Sequence, residues 1–257
     1  MKILVCIKQV PDMESKFKIA ANGAWYDTTD LAWRMNEYDE YAVEQAVRLR
    51  EQEQGSDLTV LSIGTEKAKE TMKKALAMGC DRGVHVADDL VHEKEPYQIA
   101  GIIAEYARDK QFDVVFTGMQ SQDRGSGQVG ILVAEMLGIA SISTIVSFAF
   151  AGRTVEAKRE LEGGIKAKVA AKLPVLVTCQ LGLNTPRYPT LPNIMKAKKK
   201  ELVTIPVQDL LKVEARQATE KIFFPEKKSG GLVLEGDVGD LADKLIAILK
   251  EKTTVLK

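Results

Sequence analysis

The 257-residue chain carries 36 basic and 36 acidic side chains, so it has no formal net charge, and 45% of its residues are hydrophobic. Neutrality offers no overall field to a polyanion, which makes nucleic acid an unfavoured partner. No apolar stretch approaches the roughly 20 residues of a membrane-spanning helix, and the length suits one large α/β domain with an appendage, since single cores stop growing near about 250–300 residues.

Met1 and Lys2 lead directly into an apolar run at 3–7, with no leader-like apolar segment and small-residue cleavage site, so a cytoplasmic location is expected. Further short runs rich in β-branched residues lie at 58–63, 84–86, 114–117 and 175–178, the length expected of fully buried parallel strands. Between them come helical patterns. Asn36 followed by Asp39 resembles a capping box opening a helix to about Gln52, with Ala42, Ala46 and Leu49 at helical spacing. Thr65 is the expected cap of a second helix carrying Ala68, Met72, Ala75 and Leu76, which Gly79 stops. Pro96 suits the first turn of a third, and residues 129–137 form a fourth that Gly138 ends. This alternation predicts an α/β fold with a doubly wound parallel sheet of the adenine-nucleotide-binding type.

After Gly138 the pattern loosens. Residues 141–171, with Gly163 and Gly164 as a turn, read as an added antiparallel ribbon. A proline-punctuated stretch follows, then a weakly patterned tail ending in an amphipathic helix at about 241–249. The expected organisation is a nucleotide-binding domain over 1–182, a loop over 183–200, and an extended C-terminal arm over 201–257 that lies on another chain.

Ligands of open α/β sheets bind at the carboxyl ends of the strands. There, residues 118–130 combine Gly118, Gln120, Ser121, Asp123, Gly125, Ser126, Gly127, Gln128 and Val129. Glycines let backbone amides approach a phosphate, serines offer hydroxyls, and a helix beginning near Gln128 adds its positive end. Gly125 to Gly130 also spells GxGxxG, but a dinucleotide fingerprint belongs after the first strand, and here it follows the fourth main one. On the residues alone, a nicotinamide dinucleotide site and a ligand-free glycine-rich connection both stay open beside a nucleotide phosphate cradle. Cys6, Asn36 to Asp39, Ile63 and Gly64 would reach the same rim and could hold an adenosine. Taken singly, Cys6 is small core filling, Asn36 a helix cap and Gly64 a turn residue.

Catalytic groupings are scarce. His85 and His92 stand near Asp88, Asp89 and Glu93 without a metal-ligand spacing, and the sequence has no GxSxG elbow, Walker loop or CxxC pair. Neither a catalytic residue nor a metal site is assigned. Cys6, Cys80 and Cys179 are odd in number and set among apolar neighbours, so they read as reduced and buried. The lysines at 196 and 198–200 lack interleaved aromatics and read as a solvated or partner-facing loop.

The run from Leu183 through Tyr188 and Met195 to Lys200 closely resembles the partner-recognition segment of electron-transfer flavoprotein beta subunits. Residues 159–164 and 173–178 resemble that subunit's signature region, and residues 4–10 and 36–39 fit it as well, so the resemblance covers essentially the whole chain. It implies a larger alpha subunit holding most of a redox-active FAD, and a beta subunit that buries a structural AMP. It places AMP against Cys6, Asn36, Glu37, Tyr38, Asp39, Ile63 and the segment from Gly118 to Val129. It implies that Leu191 enters an apolar pocket on a client flavin dehydrogenase, such as an acyl-CoA dehydrogenase of fatty acid oxidation, with Pro192, Asn193, Ile194 and Met195 anchoring the encounter. Electrons would pass on to a quinone-linked, membrane-associated oxidoreductase. Glu160 matches an acidic residue that restrains the mobile flavin domain, and Lys196 and Lys199 match positions methylated in some relatives. Bifurcating relatives replace AMP with a second FAD and have a loop resembling Asp-Gly-Asp-Thr, where this chain has Asp123, Arg124, Gly125 and Ser126. Met13 stands where several relatives place a tyrosine on the flavin, so no residue of this chain is assigned to FAD.

Overall fold

The computed structural model of the protein describes residues 1–226 and 230–254. Residues Met1–Ile222 form one compact unit and Phe223–Lys257 a second. Within the first unit, β1 (Lys2–Ile7), β2 (Gln9–Pro11) and β3 (Trp33–Met35) precede α1 (Glu37–Gln52), β4 (Asp57–Gly64), α2 (Ala68–Met78) and β5 (Arg82–Ala87). Then come α3 (Pro96–Ala107), β6 (Val114–Gly118), α4 (Val129–Leu137), β7 (Ala140–Ala151), β8 (Thr154–Glu160), β9 (Lys166–Lys172) and β10 (Val175–Cys179). The unit closes with α5 (Leu191–Ala197), β11 (Leu202–Pro206) and α6 (Val207–Leu210).

Strand order is β11-β5-β4-β1-β6-β10-β7-β8-β9, parallel from β11 to β7 and antiparallel across β8 and β9. Strand side chains alternate between faces. Ile3, Val5, Leu58, Val60, Val114 and Phe116 face one core with α1 and α2, while Leu4, Leu61, Val84, Val115 and Leu176 face the other with α3 and α4. Both sheet faces are therefore covered, as the unbroken apolar runs predict. The chain winds outward from β1 in both directions, through β4 and β5 on one side and β6 and β10 on the other, which opens a crevice at the carboxyl ends of β1 and β6.

Helix starts differ from expectation in instructive ways. Asn36 occupies the cap position of α1, but its side chain makes no capping bond, and its own amide donates to the Lys8 carbonyl at 2.9 Å rather than to Asp39. The box residues are committed elsewhere, Asn36 to the loop after β6 and Asp39 to the ends of β1 and β6. Thr65 does not cap α2 with its side chain either; its carbonyl accepts from Ala68 in the turn that leads into the helix, whose cap is Lys67. Pro96 does occupy the first turn of α3, and Gly79 and Gly138 end α2 and α4, Gly138 in the left-handed region at φ 65°.

The expected antiparallel ribbon is present as β7, β8 and β9, with Gly163 and Gly164 at φ 73° and 75° between the last two. It is continuous with the main sheet, because β7 pairs with β10. A second ribbon, β2 with β3, carries no sequence signal, because three-residue strands are too short to show a period. Residues 202–206, read as the start of the arm, instead pair with β5 as an edge strand. The lysine run is also more structured than a solvated loop: Lys200 Nζ donates to the carbonyls of Leu76 and Cys80, meeting orphan acceptors at the end of α2. All three cysteines are buried and free.

In the second unit, α7 (Val238–Lys252) extends the expected final helix at both ends. The Asp237 carboxylate accepts from the Gly239 amide at 3.3 Å, and Lys250 and Lys252 stand in the last turn where the helix dipole favours cations. No residue of α7 is buried. Of the expected arm, residues 227–229 and 255–257 lie outside the described residues. Among the described residues no helix is long and apolar enough to cross a membrane.

Candidate functional site

The crevice beyond β1 and β6 holds a cavity lined by Cys6, Asn36, Asp39, Ile63 and most of the segment after β6, including Gly118, Gln120, Ser121, Ser126, Gly127, Gln128 and Val129. Most of the sequence-predicted residues thus line one place, while Glu37, Tyr38, Asp123 and Gly125 do not. Gly127 adopts φ 62°, and α4 starts two residues later, so unpaired amides of its first turn open on the cavity. Gly130 lets α4 approach the sheet: a Cβ there would lie 2.6 Å from Thr117 Oγ1 and 2.8 Å from Thr178 Cγ2. Such a cradle of glycine amides at a helix start suits a phosphate.

The first turn of α1 shapes the loop that carries these amides. Asn36 Nδ2 donates to the Gln120 carbonyl at 2.8 Å, and Asn36 Oδ1 accepts from the Gln122 amide at 3.0 Å. Gln122 Nε2 donates to the Glu37 carboxylate at 2.9 Å, and Gln120 Nε2 to the Tyr38 hydroxyl at 3.2 Å. Glu37 and Tyr38 therefore hold the loop from outside the cavity lining. Asp123 and Gly125 also stand off the lining: Asp123 pairs with Lys8, and Gly125 closes a turn through its amide to the Ser121 carbonyl at 2.8 Å.

Asp39 ties three elements together. Its carboxylate accepts from the Lys8 amide at 2.7 Å and the Gly118 amide at 3.1 Å, joining α1 to the ends of β1 and β6. Burial dominates its titration and pushes the carboxyl up to about 7, against the pull of the amide donors. Cys6 beside it is pushed far up by burial and by Asp39, so it is a protonated thiol that lines the site rather than a nucleophile.

A raised carboxyl binds an extra proton in the folded state. The stability contributed by Asp39 is complete below its unfolded value of 3.8 and is lost as pH rises through about 7. Asp39→Asn removes that dependence. The melting temperature of the variant minus that of the natural protein should therefore become more positive between those pH values, by the equivalent of a few kcal/mol. A difference that stays flat across the window contradicts the assignment.

Several lining residues carried no sequence signal: Lys94, Pro96, Ile99 and Ile103 reach the cavity from α3 and the turn before it. Their helix pattern reports only the core face. The segment 183–200 lies elsewhere. Thr190 caps α5 by accepting from the Asn193 amide at 3.4 Å, Pro192 occupies its first turn, and Leu191, Asn193, Ile194 and Met195 are exposed, Leu191 by 79%. Glu160, at the end of β8, is half-buried and accepts from Gln180 Nε2 at 3.1 Å. His85 is buried, with Nε2 at 2.8 Å from the Gly64 carbonyl, and no cluster of three potential metal ligands occurs among the described residues.

An open parallel sheet with helices on both faces and an amide-lined crevice at its switch point defines an α/β protein of the nucleotide-binding type. A family model described as the electron transfer flavoprotein domain matches residues 24–210. The chain is 38% identical to the electron transfer flavoprotein subunit beta of Bacillus subtilis, over the full length of both. It is 37% identical to the subunit of that name from Bradyrhizobium diazoefficiens, covering 95% of this chain and 97% of that one, and 34% identical to the one from Mus musculus, covering 98% and 97%. The chain belongs to the electron transfer flavoprotein beta-subunit family, a family of electron-transfer proteins.

Proposed function

We propose that this chain is the beta half of a heterodimer with an electron-transfer flavoprotein alpha subunit, and that its crevice buries a structural AMP. The alpha subunit carries most of the FAD, which supplies the redox chemistry when bound. The dimer takes electrons from flavin dehydrogenases, acyl-CoA dehydrogenases of fatty acid oxidation among them, and delivers them to a quinone-linked oxidoreductase at a membrane. It works in the cytoplasm. The observation that carries the reading is the convergence of Gly127, the start of α4 and the rim residues Cys6, Asn36 and Ile63 on one cavity.

In this reading the chain's own residues bind and position. Loop amides hold the phosphate, Asn36 and Asp39 fix the loop, and the exposed Leu191 face docks the client dehydrogenase, with Ile194 and Met195 beside it. Glu160 restrains the flavin-bearing domain of the partner. Nucleotide analysis of the denatured heterodimer tests the assignment. One FAD together with AMP is the expected content; two FAD and no AMP would make the subunit a bifurcating one; and an adenylate-free, flavin-free protein would end the proposal.

A further inference from the structure

Thr144 is the only β-branched residue among the described residues with a positive φ, at 54°. This left-handed conformation disfavours a branched Cβ, so the surrounding bonds must enforce it. The Thr144 amide donates to Thr178 Oγ1 at 2.9 Å, and its hydroxyl lies 2.8 Å from the Ser143 carbonyl oxygen and 3.1 Å from that of Glu160. Arg159 donates from Nε to the Ser143 carbonyl at 3.1 Å and from Nη2 to Ser143 Oγ at 2.7 Å. Here β7 slips register against both of its neighbours, β10 and β8. The slip brings together two residues that β7 keeps apart in the strand order: Gln180, just after β10, donates from Nε2 to Glu160 Oε2 at 3.1 Å. The Gln180 side chain has no freedom to turn over. Its Oε1 accepts from the Leu181 amide at 2.9 Å and its backbone amide donates to the Ile145 carbonyl at 3.0 Å, so the nitrogen must face Glu160. No other bond to the Glu160 carboxylate occurs among the described residues.

We propose that Gln180 is a positioning residue for Glu160: it holds one carboxylate oxygen so that the other is presented, with a fixed aim, to a cationic group on the partner's flavin-bearing domain. The proposal rests on the reading that Glu160 restrains that domain. A half-buried glutamate at a strand end would otherwise spread its charge over several rotamers. Ordering it beforehand removes an entropic cost that the ion pair would bear each time the domain docks. Glutamine suits the task because it is neutral. It orders the carboxylate without cancelling its charge, which a lysine or arginine at the same place would do. The bonds that force Thr144 into its conformation keep the ends of β8 and β10 within reach of each other, and the Met119 amide pins the Cys179 carbonyl at 2.9 Å, next to Gln180.

The test reads the time-resolved anisotropy of the heterodimer's own flavin fluorescence, which reports how freely the flavin-bearing domain turns. It compares the natural protein, Gln180→Met, Glu160→Gln and the double variant. Methionine matches glutamine in length and has no donor. Gln180→Met is expected to raise the ratio of free to held domain by about threefold or more, the scale of one weakened exposed ion pair. In the Glu160→Gln background the same change is expected to add nothing, since residues that act through one another are not additive. A merely structural role would give the same increment in both backgrounds. That result, or a natural ratio in Gln180→Met beside a raised one in Glu160→Gln, overturns the positioning role and leaves the restraint intact. A natural ratio in Glu160→Gln ends the restraint reading and this proposal together. Should Gln180→Met fail to fold, Gln180→Glu decides in its place, because it keeps the oxygen that meets Leu181 and replaces only the donor; a raised ratio supports the proposal and an unchanged one overturns it.

Discussion

Gly118→Ala is expected to lower the melting temperature by about 6–12 °C, corresponding to about 3 kcal/mol in a domain of this size. Gly118 ends β6 where the first turn of α1 crosses it. A Cβ at this position would overlap the Asp39 carboxylate and come within 2.8 Å of the Tyr38 Cβ and 3.2 Å of the Asp39 amide nitrogen. The backbone atoms of α1 have little freedom to yield, because Asp39 is already bonded to Lys8 on the far side. The strand end must shift, and the Gly118 amide then loses its bond to a fully buried carboxylate. The same displacement moves Gln120 and Ser121 away from the cavity. Thermal unfolding reads the first effect and retained adenylate the second; a variant that melts with the natural protein and keeps its nucleotide contradicts this account of the site.

The second large effect is expected at Arg187. Its amide donates to Glu44 at 3.1 Å, and its guanidinium bridges Glu44 at 2.8 and 3.2 Å and Glu51 at 2.6 and 3.0 Å. Glu44 is 2% exposed. Burial pushes its carboxyl up, but the bonds from Arg187 and Arg48 outweigh burial and hold it below the usual carboxylate range. Asn184 adds a bond to the Tyr41 carbonyl at 3.0 Å, so the segment entering the exposed Leu191 face is strapped to α1. Arg187→Met leaves Glu44 only Arg48 and the backbone amide of residue 187 as partners, at an expected cost of about 2–3 kcal/mol. It also frees residues 188–195. Leu191→Ala is the matched control, because it should leave stability unchanged while slowing flavin reduction by the client dehydrogenase about ten- to thirtyfold, as for one docking anchor. Arg187→Met should show both defects together, with faster amide exchange over the freed segment. Unfolding at the natural urea midpoint would refute the strap.

These two sites mark the limit of what could be read from residues alone. The five central strands were legible as short unbroken apolar runs and the four helices between them by their helical spacing, with Gly79, Pro96 and Gly138 marking ends of α2, α3 and α4. The loop after β6 was legible as a glycine-rich segment at a strand end. What could not be read were contacts between residues far apart in sequence. Asn36 looks like a cap from its neighbours, and only the approach of residues 120–122 turns its side chain into a loop fastener. Arg187 and Glu44 stand 143 positions apart, with no local pattern to announce the pair. Edge strand β11 was hidden for another reason: a strand paired on one side only needs no continuous apolar run, and Val203 is 42% exposed.

The placement of β10 has a consequence for biogenesis. It lies between β6 and β7, yet it is made after the whole β7–β9 excursion. On a ribosome, those three strands must wait as a detached flap until residue 179 has emerged, and only then can β10 slide in and join them to the rest. Assembly of this half is therefore gated by a late, long-range insertion, the kind of step that makes parallel sheets slow to form and leaves unpaired edges open to chaperones meanwhile.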